Sequence, residues 1–168
     1  MTEPEAFTFP DDGRFPSSVL PLLVYRQALP ADATAMEEAF GRNGWSNAWR
    51  NGIFDYHHCH SIAHEVLGIA RGAANVCFGG RSGQVMEVRA GDVVVIPAGV
   101  GHCNKGQSRG FLVVGAYPGG ADYDIRRGDP AEHGEVLRNI LCVPMPEQDP
   151  VSGRGGPLIR IWQANTLP

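Results

Sequence analysis

The sequence lacks several features that would assign it to a familiar functional class. Its four cysteines are widely spaced and form no CxxC pair, which excludes the usual structural zinc and thioredoxin-like motifs and predicts free thiols. No apolar run approaches the roughly 20 residues of a membrane-spanning helix. The acidic, Pro-rich start has neither a basic nor an apolar signal region. We therefore expect a cytoplasmic protein that has no membrane partner.

Basic charge is also scarce. The chain has 14 Lys and Arg against 18 Asp and Glu, a formal net charge of −4, and the basic residues form no run. A protein that binds nucleic acid normally presents a basic patch or stripe. We therefore expect no nucleic acid partner.

Long uninterrupted segments are missing as well, because 22 Gly and 13 Pro are spread along the 168 residues. A chain of this length suits one domain. Apolar and β-branched residues recur in short runs between Gly turns, and they predict strands at residues 53–60, 65–71, 74–78, 84–89, 93–96 and 110–117. Many short strands at this spacing indicate an all-β sandwich or barrel.

The flanking segments predict short additional elements. An apolar run from Val19 to Tyr25 contains Pro21, which favours an edge strand or a crossing arm. A capping box at Thr34 predicts a helix over residues 34–41. A second helix should begin after Asp129 and run to about Leu141, with an apolar stripe of Val136, Leu137, Ile140 and Leu141. The largely apolar run at residues 158–162 predicts a final strand.

These elements divide the predicted domain into three parts. Residues 1–51 form an N-terminal arm and short helix that pack on the barrel, residues 52–118 form the barrel core, and residues 119–168 supply a helix and tail that complete the same domain. The apolar arm and the sheet edges beside it offer surface that a lone small barrel would struggle to cover. We therefore expect a homodimer.

Histidines are concentrated in one place. His57, His58, His60 and His64 fall within eight residues, and His102 follows about forty residues later. Side chains alternate between the two faces of a strand, so His58 and His60 should project to the same side. A cluster of this kind favours a metal site over isolated core histidines. By the same alternation, His57 and Cys59 should face away and pack on the outer side.

The surrounding spacing resembles two sequence motifs of the cupin family. Gly52, His58, His60, Glu65 and Gly72 match the first motif at every defined position. The second motif is matched by Gly91, Pro97, Gly99 and His102. It departs from the family pattern only at position 106, where Gly replaces the usual Asn. Over nearly its whole length the chain is similar to the uncharacterised bacterial cupins of the YjlB type.

The resemblance implies a single double-stranded β-helix, or jelly-roll barrel, with one divalent metal ion on His58, His60, Glu65 and His102. Mixed nitrogen and oxygen ligands suit Mn, Fe, Co, Ni or Zn better than Ca or Mg. An octahedral ion would keep two positions for a small organic substrate, whereas a tetrahedral zinc would be filled. The expected function is a metal-dependent oxygenase or isomerase, with no separate catalytic residue identified. The alternative is a non-catalytic module that binds a small ligand.

Simple periodicity and the family pattern disagree about the fourth ligand. An unbroken strand through His58 and His60 would continue its inner face to His64, and Glu65 can point inward only if the chain turns between them. With Glu65 inward, the same face continues with Leu67 and Ile69, which can fill a barrel. A carboxylate also offsets part of the charge of a dication. Glu65 is therefore preferred over His64.

Two arginines are candidates for holding a substrate carboxylate. Arg50 and Arg71 could reach into the barrel and make a bidentate contact. Salt bridges at the barrel rim are the simpler interpretation of both residues.

Overall fold

The computed structural model describes residues 3–167. Within that range, the chain forms strands β1 (Glu5–Phe7), β2 (Leu22–Tyr25), β3 (Trp45–Asn51), β4 (Glu65–Arg71), β5 (Ala73–Phe78), β6 (Gln84–Arg89), β7 (Val93–Ile96), β8 (His102–Gln107) and β9 (Leu112–Pro118). The helices are α1 (Ala33–Arg42), α2 (His133–Leu141) and α3 (Pro157–Thr166), and a 3-10 turn at Pro130–Glu132 precedes α2. The predicted all-β class with short flanking helices is confirmed.

The strands form two antiparallel sheets. The larger sheet has the order β1-β2-β7-β4-β9-β3, and the smaller has the order β6-β5-β8. Their facing sides enclose one apolar core, to which β4, β5 and β7 contribute Leu67, Ile69, Phe78, Val94 and Ile96. The site described below lies at one end of this core.

Strand β4 is buried on both faces, so its sequence does not alternate between apolar and polar residues. Leu67 and Ile69 point into the space between the sheets, whereas Val66 and Ala70 point outward into a second apolar cluster. On that outer side, a Cβ at Gly68 would lie 2.8 Å from Met36 Sδ of α1. Glycine at this position therefore lets α1 pack closely on the large sheet.

The C-terminal segment corrects one prediction, because residues 158–162 belong to helix α3 rather than to a strand. Pro157 lies in the first turn of the helix, where its fixed φ is favourable. Leu158 and Trp162, four residues apart, share the buried face of α3 and cover the outer side of the large sheet. A short apolar run fits a helix as well as a strand, and only the four-residue spacing of Leu158 and Trp162 favours the helix.

The strand predictions are correct where burial in the core determines the residue types, and they are wrong at the edges of the barrel. Strands β4, β6 and β7 begin and end at the predicted residues. Residues 53–60 form no strand, and only His58 and Cys59 make isolated bridges. Strands β3 and β8 were missed because their sequences, WSNAWRN and HCNKGQ, carry many polar residues. Pairing with β9 and β5, respectively, orders them.

The N-terminal arm also differs from its prediction. Residues 22–25 lie between β1 and β7 rather than at an edge, and all four are buried. Pro21 precedes the strand, so it removes none of the ladder hydrogen bonds. Helix α1 forms as expected, but Asp32 rather than Thr34 caps it, by accepting a hydrogen bond from Ala35 N–H.

Helix α2 begins after Asp129 as expected, but its predicted apolar stripe is only partly buried. Val136 is buried, whereas Leu137 and Leu141 are exposed. No helix within residues 3–167 is long and apolar enough to cross a membrane.

A fully buried carboxylate ties the C-terminal region to the sheet. Asp149 Oδ2 accepts hydrogen bonds from Tyr25 Oη at 2.6 Å and from Leu158 N–H at 2.9 Å. Its Oδ1 accepts from Val151 N–H and Ser152 N–H. One side chain therefore satisfies four donors where β2, α3 and the loop that precedes α3 meet.

We predict that Asp149→Ala lowers the free energy of unfolding by at least about 3 kcal/mol, because it leaves buried donors without an acceptor. Asp32→Ala removes a single exposed cap and should cost about 1 kcal/mol. Urea denaturation of both variants measures the difference. Equal losses would contradict the role given to Asp149.

Candidate metal centre

The site begins with two histidines joined through their backbones. His58 N–H donates to the carbonyl of His102 at 3.2 Å, and His102 N–H donates to the carbonyl of His58 at 2.8 Å. His102 is the first residue of β8, opposite Phe78 of β5. The bridge therefore fixes the irregular segment that carries His58 against the small sheet, with the two imidazole centroids 4.0 Å apart.

His60 is held by a segment that follows the barrel strands. Its Nδ1 lies 2.5 Å from the carbonyl oxygen of Asp124, and its own carbonyl accepts from Gly99 N–H at 2.8 Å. The Asp124 carboxylate accepts hydrogen bonds from the backbone N–H and the hydroxyl of Ser61. Arg126 donates to the same carboxylate at 2.8 Å. Asp124 thus stabilises both the His60 ring and the turn that follows it.

That turn brings Glu65 into the site. Glu65 is the first residue of β4 and is fully buried by its neighbours, opposite Ile96 of β7. Its Oε2 lies 3.2 Å from Nε2 of His60, and its Oε1 lies 3.4 Å from Nε2 of His102. The turn between His60 and Glu65 contains no Gly or Pro. It is held by Ser61, whose hydrogen-bond partner Asp124 lies 63 residues further along the chain. Residue type alone therefore could not locate the turn.

One ring nitrogen from each of His58, His60 and His102 lies within 4.8 Å of the others, and all three residues are buried. The Nδ1 atoms of these rings face the backbone carbonyls of Tyr56, Asp124 and Val100, respectively. A carbonyl oxygen can only accept, so each Nδ1 carries the proton and each Nε2 keeps its lone pair in the neutral ring. Three lone pairs and one carboxylate are the donor set of a transition metal ion, so these residues fit one.

The electrostatics of the four side chains show what the carboxylate does. Burial, with His102 nearby, lowers the pKa of His58 to about 3. Burial also opposes protonation of His60, but the charge of Glu65 and its hydrogen bond outweigh burial and raise the pKa of His60. Burial alone would raise the pKa of Glu65, yet His60 and His102 together lower it. Glu65 is therefore a carboxylate that needs positive charge beside it.

Two aromatic side chains hold Glu65 from the other side. Tyr117 of β9 donates its hydroxyl proton to Glu65 Oε2 at 2.7 Å, and Trp49 Nε1 donates to Tyr117 Oη at 2.9 Å. A Cβ at Gly115 would lie 2.2 Å from the Trp49 ring, so glycine is required there for Trp49 to lie across β9. Burial and the neighbouring carboxylate raise the pKa of Tyr117, so its hydroxyl keeps the proton that it donates.

His64 points to the opposite side of the sheet from Glu65. Its Nδ1 accepts a hydrogen bond from Ala98 N–H at 2.9 Å, and its ring packs against Trp162 of α3. Because its surroundings are apolar, burial lowers the pKa of His64 to about 4. The geometry thus places Glu65, not His64, beside the imidazole cluster.

The remaining candidates lie away from the cluster. Arg50 forms a salt bridge with Glu37 of α1 at 2.6 Å, and Arg71 donates to the carbonyl of Gly110, so neither contacts the site. Cys59 is buried, as expected for a small apolar residue, and burial raises the pKa of its thiol to about 12. His57 is half-buried and tilted against Phe15.

A cavity of about 250 Å³ opens onto the four candidate ligands. Most of its other walls are aromatic or aliphatic, formed by Trp49, Ile53, Phe54, Leu67, Tyr117, Tyr123 and Ile125. The importance of Tyr117, Tyr123 and Asp124 was not recognised from the sequence.

Two antiparallel sheets that enclose a buried histidine and carboxylate cluster define a cupin. A curated protein, the uncharacterised YjlB of Bacillus subtilis (strain 168), is 45% identical over 161 residues, covering 95% of this chain and 97% of that protein. The chain therefore belongs to the YjlB family of cupins. No family profile matches the chain.

Similar solved structures are more distant. An acireductone dioxygenase of Bacillus anthracis with a cadmium ion in its active centre is 17% identical with a TM-score of 0.40, over 54% of this chain and 60% of that one. The WlaRB TDP-quinovose 3,4-ketoisomerase of Campylobacter jejuni is 20% identical with a TM-score of 0.42, over 56% of this chain and 75% of that one.

We predict that Tyr117→Phe lowers the free energy of unfolding of the metal-free protein by about 1.5 to 3 kcal/mol, because it removes a hydrogen bond to a buried carboxylate. Tyr123→Phe removes a hydroxyl from a ring that is 40% exposed and should change stability by less than about 0.5 kcal/mol. Urea denaturation compares the two. A Tyr117→Phe protein as stable as the unmodified chain would contradict the assigned hydrogen bond.

Proposed function

We propose that this chain binds one divalent transition metal ion through His58, His60, Glu65 and His102. The observation that carries the proposal is that one ring nitrogen from each of the three histidines lies within 4.8 Å of the others, while each Nδ1 faces a backbone carbonyl and so leaves the Nε2 lone pair free. The Glu65 oxygens lie against two of these nitrogens. In neutral rings such contacts would set acceptor against acceptor, and either a proton on His60 or a metal cation among the four residues would relieve that repulsion.

The donor set also limits the ion. Imidazole nitrogens favour Mn, Fe, Co, Ni or Zn over Ca and Mg, which prefer oxygen ligands alone. Three neutral imidazoles and one carboxylate would leave a net charge of about +1 with a divalent ion. A ligand that supplies one negative charge through an oxygen atom would complete the balance.

We further propose that the protein is a metal-dependent enzyme of the oxygenase or isomerase type that acts on a small organic molecule. A bound divalent ion would supply Lewis acidity to a substrate oxygen atom. The residues of the chain would position that oxygen, and the apolar walls would exclude bulk water from the reacting end. Tyr117 would hold Glu65 in one orientation while the hydroxyl keeps its own proton.

A non-catalytic module that binds a small ligand is the second candidate. It is favoured by the cavity walls within residues 3–167, which offer no carboxylate, imidazole or amine besides the four proposed ligands. A reaction that needs a separate general base would therefore lack one. Turnover assays under oxygen, with protein whose native metal has been identified and restored, separate the two candidates. Stoichiometric binding without turnover across small oxygen-bearing compounds would favour the module.

We predict that chelation lowers the melting temperature of untagged protein, because an ion that binds only the folded state stabilises it. His60→Ala should remove this response and reduce the metal content at least tenfold. His133→Ala is the matched control, since His133 pairs with Asp11 on the surface. Metal analysis and thermal unfolding provide the readout. A His60→Ala protein that still contains stoichiometric metal would reject the proposed ligands.

A homodimer and a cytoplasmic location stay predictions. The apolar arm supports the homodimer less than expected, because residues 22–25 are buried within the large sheet of the same chain. The support that remains is the outer strands of the two sheets, which are β1 and β3 in the large sheet and β6 and β8 in the small one. We expect sedimentation at micromolar concentration to show two chains per particle, and a monomer would contradict this.

A further inference from the structure

The walls of the cavity above the proposed metal ligands have a distinctive chemistry. Four aromatic rings, those of Trp49, Phe54, Tyr117 and Tyr123, share the lining with aliphatic side chains such as Ile125. The rings of Tyr117 and Tyr123 are stacked on each other with centroids 4.4 Å apart. Flat apolar surfaces of this kind favour a flat apolar ligand.

The polar atoms of two of these rings are already used. Trp49 Nε1 donates to Tyr117 Oη, and Tyr117 Oη donates to Glu65. These side chains therefore have no free donor to offer, and what they can present to a ligand is ring surface. Apart from the proposed ligands and these two rings, the polar side chains that the described residues contribute to the lining are Asn51 and the half-exposed Tyr123.

No lysine or arginine contributes to the lining within residues 3–167. The two arginines of the neighbouring loop are engaged elsewhere. Arg126 forms ion pairs with Asp124 and Glu135, and Arg127 stacks over the Tyr56 ring at 3.8 Å from its centroid. A negatively charged group on the ligand would meet no positive partner in this cavity apart from the metal. Burying an unpaired charge is costly.

The cavity is also small. Its volume of about 250 Å³ is below the roughly 300 to 1,000 Å³ typical of sites for drug-sized ligands. It therefore suits a ligand smaller than a typical drug molecule.

We propose that the ligand of this cavity is a small molecule with one oxygen-bearing end and an uncharged, flat, apolar body of about the size of a substituted benzene ring. The oxygen end would face His58, His60 and His102, and the body would lie against the aromatic walls. A molecule with a second charged group, such as a dicarboxylate or a phosphorylated compound, is excluded. The inference rests on the proposed function only for the placement of the oxygen end.

The test uses two probes that share one metal-binding end and differ in charge at the other. 4-Methylcatechol carries a methyl group where 3,4-dihydroxybenzoate carries a carboxylate. Isothermal titration calorimetry with protein loaded with Ni²⁺, which can keep two coordination positions open beside the four proposed ligands, its metal content verified, should show that 4-methylcatechol binds at least tenfold more tightly. Equal affinities, tighter binding of the carboxylate, or no binding of either probe would overturn the proposal.

A charge introduced at the wall should change this preference. Ile125 is 43% exposed in the cavity lining, so Ile125→Arg can place a guanidinium beside the ligand without burying it fully. The variant should improve binding of 3,4-dihydroxybenzoate and reduce the ratio between the probes at least threefold. Val85→Arg is the matched control on β6, at an exposed position that does not line the cavity. A ratio unchanged by Ile125→Arg, or changed equally by Val85→Arg, would count against the proposal.

A third comparison separates this inference from the metal-binding proposal. In metal-free protein, p-cresol should bind more tightly than 4-hydroxybenzoate. The apolar walls then contact the ring of either probe, and they offer no positive partner for the carboxylate of 4-hydroxybenzoate. If metal analysis shows that no ion binds, the proposed function fails while this pair still tests the cavity. If the ion binds but the charged probe of each pair binds as tightly as the neutral one, the ligand class fails alone.

Discussion

The buried carboxylate of Glu65 is the constraint on which the rest of the site depends. A charged group at the end of an apolar barrel is costly unless hydrogen bonds and opposite charge surround it. Here Tyr117 supplies the hydrogen bond and His60 and His102 supply the neighbouring charge or a place for a cation. Each of these partners is fixed by another contact: Tyr117 by Trp49, His60 by Asp124 and His102 by its bridge to His58.

The barrel core could be predicted from the sequence because burial dictates residue type there. Strands β4, β6 and β7 were located residue by residue, and the inward direction of Glu65 followed from Leu67 and Ile69 behind it. Strands β3 and β8 were missed because their order comes from neighbouring strands rather than from their own side chains. The end of the chain was assigned a strand because an apolar run of five residues fits either a strand or a helix.

The candidate ligands could be named because their spacing matches the motifs of a known family, whereas the residues that position them are distant in sequence. Asp124 lies 64 residues after His60, and Tyr117 lies 52 residues after Glu65. No local pattern connects such pairs. A buried tyrosine between two strands and an aspartate in a polar loop have many ordinary roles, and only their positions in the folded chain show which role applies.

The contact between His60 and Asp124 also affects the order in which the molecule can be assembled. Strands β4 to β9 end at residue 118, so the barrel strands that surround the core precede Asp124 along the chain. Domains form as the chain is synthesised from the N-terminus, and contacts between distant residues must await the later partner. The His60 ring therefore reaches its final position only after residue 124 has been synthesised. The contact that orients His60 is among the later ones that the growing chain can make.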